Sequence, residues 1–310
     1  MRRSLRSADC GRGGLVFGRL SLVLLWIVLT GCSSGVGAER SGPQCAPSEV
    51  PHLVLATGEG RIVIELLQSA APDAVDRLIR LVDGPVFHPG IVADHSSADA
   101  AGYYDGLVFD LAYPRSSLAT SMRPPADSIL IQTQIDAEAL GLDRRFIETG
   151  AESSHVWQFE LFPHQAGLSS DDQLHPQMKE WLTLWGERHS ADFLIGVSRK
   201  QINEALGYEY VAGLNSQKNT RGAVALDPFD ATRSTPRLVI VLADAPQYDG
   251  RRMVVGRVVS GLEIADAISS RPLIPAKAFK NRPMVPVQIH DSIVECRPSP
   301  EPPGSTKGAQ

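Results

Sequence analysis

The feature that most constrains this chain is a pair of alternating runs placed around a glycine turn. His52-Leu53-Val54-Leu55-Ala56-Thr57 and Arg61-Ile62-Val63-Ile64-Glu65-Leu66 flank Gly58-Glu59-Gly60. Period-two segments on either side of a short Gly-rich turn predict a β-hairpin. The period then changes. Ala71-Pro72-Asp73 opens a helix with proline in its first turn, Val75, Leu78, Ile79 and Val82 share one helical face, and Gly84-Pro85 stops it. Strands are predicted at 107–112, 128–135, 221–226, 237–242, 253–259 and 286–294. A second apolar helical face follows Leu262, carried by Ile264, Ala265 and Ile268. Strands, one helix, many strands, a second helix and a closing strand make the chain mainly β. That order predicts a closed β-barrel with helices over its ends.

The N-terminus reads differently. Arg2, Arg3, Arg6, Arg12 and Arg19 precede an apolar run from Leu20 to Leu29, which ends in Leu29-Thr30-Gly31-Cys32. A basic region, a short apolar region and small residues at the end describe a secretory signal. The run is about half the roughly 20 residues a spanning helix needs. Leu-Thr-Gly-Cys resembles the bacterial lipobox. That resemblance implies cleavage before Cys32 and acyl chains on it, a bacterial cell-envelope location, and Ser33 favours the outer membrane. The alternatives are a transmembrane anchor or an upstream start. Residues 1–31 are thus a lipoprotein signal peptide, and 32–50, rich in Gly, Ser, Ala and Pro, a flexible tether. The domain spans 51–296, and 297–310 is a disordered tail.

A net charge of -5 argues against nucleic acid, which requires a basic face. Aromatics at 6% give no platform for carbohydrate. With Cys10 in the signal and Cys32 on lipid, Cys45 and Cys296 remain, one before the first strand and one after the last. An oxidising compartment permits a bridge between them; two free thiols are the alternative, and Cα separation decides. The histidines at 88, 95, 155, 164, 175 and 189 lack metal-ligand spacing, so no metal and no cofactor is expected.

Several phrases resemble the cyclophilin family in the family's order. Thr57 to Leu66 resembles its opening hairpin and Ala71 to Leu78 its first helix. Gly102-Tyr103-Tyr104-Asp105-Gly106-Leu107-Val108-Phe109 resembles its next strand. Tyr248-Asp249-Gly250 with Arg251 to Gly261 resembles its late strand, and Arg282 to Val287 its closing entry. The resemblance spans Leu53 to Val294 with interruptions. It implies an eight-stranded barrel capped by two helices, and peptidyl-prolyl cis–trans isomerisation.

The X–Pro bond turns slowly because amide resonance sets a barrier of about 18–20 kcal/mol. The family is understood to hold the proline ring in an apolar pocket and aim a guanidinium at the prolyl nitrogen, which is electrostatic stabilisation of a transition state. The family's Phe-His-Arg phrase is Phe109-Asp110-Leu111 here. Leucine donates no hydrogen bond, so catalysis is expected to be weak or lost. Arg115, four residues on, is a poor substitute, because the guanidinium must sit within about half an ångström of its productive position. By the resemblance, Phe109, Gln132, Ala225, Val239, Tyr248 and Arg252 are the substrate-groove candidates, with Val239 in place of an aromatic floor and Arg252 in place of a histidine.

Two stretches interrupt the family pattern, 86–101 and roughly 70 residues from Asp136 to about Ala205. Loops beyond about 12–15 residues carry function or their own structure. The second holds Trp157, Trp181 and Trp185. It is either a lid or partner surface beside the groove, or a structural helix packing its tryptophans on the barrel, the latter favoured slightly. The chain therefore reads as a lipid-anchored isomerase-like protein acting on or binding proline-containing exported proteins. A non-catalytic envelope module using the groove or the insertion is the alternative.

Overall fold

The computed structural model describes residues 45–83, 102–123, 129–167 and 174–298. The signal peptide, Cys32, most of the tether, the 86–101 stretch and nearly all of the tail lie outside the described residues.

Among the described residues nine strands form one sheet: β1 Glu49–Thr57, β2 Gly60–Leu66, β3 Val108–Tyr113, β4 Ser117–Thr120, β5 Ile131–Gln132, β6 Ala223–Pro228, β7 Arg233–Val241, β8 Val254–Ser260 and β9 Val287–Pro298. Their order is β4-β3-β9-β1-β2-β8-β6-β7-β5, and β4 also pairs with β7. That pairing closes eight antiparallel strands into a barrel and leaves β5 outside it. The chain has the mainly β, closed-barrel fold expected of it.

Alternation explains the interior. Leu53 and Leu55 of β1 meet Ile62, Ile64 and Leu66 of β2 in the barrel core, in the register Leu53↔Ile64 and Leu55↔Ile62. Helix α1, Pro72–Asp83, covers the barrel with Val75, Leu78, Ile79 and Val82. Helix α6, Leu262–Ser269, adds Ala265 and Ile268. Gly261 starts α6 at φ 84°, and a Cβ there would run into the carbonyl of Arg61. Only glycine combines that conformation with so close an approach.

The expected strand over 128–135 is reduced to the two residues of β5. The chain instead turns to serve α1: the Gln134 amide accepts from Asp73 N at 3.0 Å and donates to its carboxylate at 2.8 Å. The strand that closes the barrel is β4, which the pattern reading missed. Arg115 at φ 60° and the bond from Ser116 N to Tyr113 O at 2.8 Å turn the chain back at once. The return strand therefore begins at Ser117.

Cys45 and Cys296 are bonded, with their Cα atoms 5.3 Å apart. Cys296 lies opposite Pro51 in the β1–β9 pair.

The insertion folds into helices with a core of its own: α2 Gly150–Val156, a π-helical turn Trp157–Leu161, α3 Phe162–Ala166, α4 Pro176–Arg188 and α5 Arg199–Ala205. Thr149 caps α2, and Ser198 with Gln201 forms a capping box on α5. Trp157, Leu161, Met178, Trp181, Leu194 and Ile202 are buried together, and Trp157 stacks on Trp185 at 5.1 Å. The tryptophans thus pack within the insertion and not on the barrel, because several helices supply the apolar partners one helix would lack. Asp136 closes its base: one carboxylate oxygen accepts from Glu138 N at 2.8 Å and Ala139 N at 3.2 Å, the other from Gly213 N at 2.7 Å and Leu214 N at 3.3 Å.

Candidate functional site

An open groove of about 140 Å³ lies across β3, β4 and β7. Its floor is two cross-strand rows. Leu111 pairs with Ala119, which pairs with Val239; Tyr113 pairs with Ser117, which pairs with Val241. All six side chains line the groove. The first row is wholly apolar. Ala119, small between larger neighbours, leaves the depression. Ser116, Asp227, Ala245, Tyr248 and Arg252 make the walls.

A β-bulge at Asp110 decides which residues of β3 face the groove. The register shifts between Phe109 and Leu111, and a bulge re-aims the side chains beyond it. Phe109 points into the barrel core and is fully buried. Leu111 lines the groove. Asp110, between them, bonds Arg237.

Charges run beside the floor in alternating sign. Arg237 bonds Asp110 and the carbonyl of Thr120, the latter at 2.6 Å, and lies 3.9 Å from Asp227. Asp227 in turn lies 3.4 Å from an Nη of Arg252. The Arg252 guanidinium sits over the Tyr248 ring, 4.0 Å from its centroid. Its Nε is buried with no hydrogen-bond partner. An arginine held by stacking and one ion pair puts a fixed positive charge in the groove wall.

Residues 159–294 match the model of the cyclophilin type peptidyl-prolyl cis-trans isomerase family. Over these residues the chain resembles the cyclophilin-type isomerases. Solved structures similar to it include a cyclophilin type peptidyl-prolyl cis-trans isomerase of Cryptosporidium parvum, at 12% identity and TM-score 0.39, covering 81% of this chain and 99% of that one. The same protein in the presence of the dipeptide Ala-Pro aligns at 12% identity and TM-score 0.38, over 79% and 98%. A cyclophilin from Hirschia baltica aligns at 12% identity and TM-score 0.37, over 78% and 73%.

Of the six groove candidates, Val239, Tyr248 and Arg252 line the groove. Three do not. Phe109 is turned inward by the bulge. Gln132 is exposed on β5, paired with Arg233 outside the barrel; β4 occupies the place expected for its segment. Ala225 continues the row beyond Val239 onto β6, but is fully buried beside Ala223, Val241, Ala245 and Val254. Arg115 is exposed at the β3–β4 turn and is not among the groove-lining residues. Pattern reading missed Ala119, Ser117 and Asp227. For Ala119 and Ser117 the signal was the return of the chain after Tyr113-Pro114-Arg115, which sets the segment that follows against Phe109-Asp110-Leu111; Asp227 carried none.

Proposed function

We propose that this protein is an envelope-anchored cyclophilin-type protein that holds proline-containing segments of exported chains and isomerises them slowly or not at all. The observation that carries this reading is Leu111 on the groove floor, where the family's resemblance calls for an arginine. An apolar row of Leu111, Ala119 and Val239 suits a proline ring, and Arg252 sets a fixed positive charge in the wall. Loss of one preorganised donor costs other enzymes about 10²–10³-fold in rate. The lipobox-like Leu29-Thr30-Gly31-Cys32 supports acylation at Cys32 and an extracytoplasmic location. The Cys45–Cys296 bond is compatible with an oxidising compartment.

A coupled isomerisation assay on the full chain, run beside a titration with the same prolyl peptide, tests the reading. Saturable binding with turnover at least about a hundredfold below an arginine-bearing cyclophilin is expected. Full turnover abolished by a groove-blocking peptide would overturn it. The Arg252 guanidinium in the groove wall favours a second reading, residual isomerisation assisted by its charge, and turnover lost on Arg252→Gln would establish it.

A further inference from the structure

The insertion grips the groove's wall. The turn that presents Tyr248 and Arg252 is held at three points, two from the insertion and one from Tyr210 just beyond it. Arg145 Nη1 donates to Pro246 O at 3.3 Å, Tyr210 Oη donates to Gly250 O at 3.2 Å, and Arg251 Nε donates to Asn203 Oδ1 at 2.6 Å. Gly250, at φ 79°, lies so close to Leu142 that a Cβ would collide with it and crowd Asn203 and Tyr210. At the centre stands Glu160. Its carboxylate bonds Arg251, the neighbour of Arg252, and pairs with Arg199 at 3.1 Å. All three side chains are at most 15% exposed.

Glu160 belongs to the π-helical turn Trp157–Leu161. Such turns insert a residue into a helix and are frequent at functional sites. Here Trp157 and Leu161 enter the insertion's core while Glu160 reaches the barrel's turn. One anion between two buried cations cannot be removed without leaving like charges facing each other, a strongly unfavourable arrangement. Burial and the neighbouring Arg251 together hold Arg199 below the usual arginine range, against the pull of Glu160.

We propose that Glu160 is a positioning residue for the groove: through Arg251 it fixes the turn that presents Tyr248 and Arg252, so that the insertion sets the geometry of the peptide-binding wall. The inference rests on the peptide-binding reading for its consequence in affinity, but not for its structural core. The competing role, a staple internal to the insertion, would leave the turn unaffected.

The test uses the full chain with Glu160→Gln, Glu160→Asp, Arg251→Gln and Arg252→Gln, and two readouts. Hydrogen exchange over 246–253 is compared with exchange over β1, β2 and β9. Glu160→Gln should lose protection in 246–253 and leave the strands unchanged, with Glu160→Asp partly restoring it. Affinity for a prolyl peptide should fall about tenfold, within the range for residues that act on a ligand they do not touch, with no further fall when Glu160→Gln is added to Arg252→Gln. Unchanged protection of 246–253 in Glu160→Gln overturns the proposal. If Glu160→Gln fails to fold, Arg251→Gln decides in its place, since it cuts the link and keeps the Glu160–Arg199 pair. If the wild-type chain binds no peptide, the functional reading falls and the exchange result alone decides the positioning role.

Discussion

The Arg252 guanidinium lies 4.0 Å from the centroid of the Tyr248 ring, and both residues line the same groove. Stacking on an aromatic face is a property of the planar guanidinium that lysine shares poorly. Arg252→Lys should therefore weaken prolyl-peptide binding nearly as much as Arg252→Gln. About tenfold is expected for each, as hydrogen bonds to charged groups contribute about 1.5–3 kcal/mol. Calorimetric titration checks this. Full affinity in Arg252→Lys would show that charge alone matters.

Leu111 faces the groove from β3 because of the Asp110 bulge. Leu111→Arg places a guanidinium on that floor without touching the barrel core. Isomerase turnover should rise at least about tenfold, toward the 10²–10³ that one preorganised donor supplies. A proline-isomerisation assay reads the gain directly, and no gain would mean that the bulge aims the side chain wrongly for catalysis.

Asp136 closes the base of the insertion with four backbone N–H groups. Burial pushes its carboxyl up, but the bonds from Ala139, Gly213, Glu138 and Leu214 outweigh that and hold its pKa below 3.8. A depressed carboxyl stabilises the fold fully above its unfolded value, and that stability is lost as pH falls through the folded value. Asp136→Asn should cost about 1–3 kcal/mol at neutral pH, and the gap from wild type should narrow as pH falls from the ordinary aspartate range toward the lowered folded value. Denaturant melts at pH 7 and pH 3 measure both.

The Cys45–Cys296 bond closes a sequence separation of 251 residues. Cys296→Ser should lower stability by about 2–5 kcal/mol. Thermal melts with and without reductant check it: reductant should lower the wild-type midpoint and leave the variant's unchanged.

Much of the barrel was legible because its strands alternate and its helices carry apolar faces. β1, β2, β8 and β9 hold runs such as Arg61-Ile62-Val63-Ile64, whose period survives any context. β4 was not legible. Ser117-Leu118-Ala119-Thr120 is short and has no strong alternation; it is a strand because Arg115 turns the chain back and β7 lies waiting. The groove was half legible. Val239, Tyr248 and Arg252 follow from the order of family phrases, whereas Ala119 follows from its pairing with Val239 across to β7, and Asp227 from the irregularity between Leu226 and Pro228, which one sequence does not display. Phe109 was misplaced because a bulge is invisible to period counting, and Gln132 because the return strand arrives earlier than its pattern suggested. The insertion's tryptophans were correctly core-like residues assigned to the wrong core.

The bond between Cys45 and Cys296 also governs how the domain bears force. Traction on the chain ahead of Cys45 would otherwise peel β1 from its neighbours one hydrogen bond at a time. The covalent link instead delivers the load to both strands of the β1–β9 pair together. Those strands are then drawn as one piece of the barrel wall. A domain pulled from its N-terminal side then withstands the load without unravelling from its first strand.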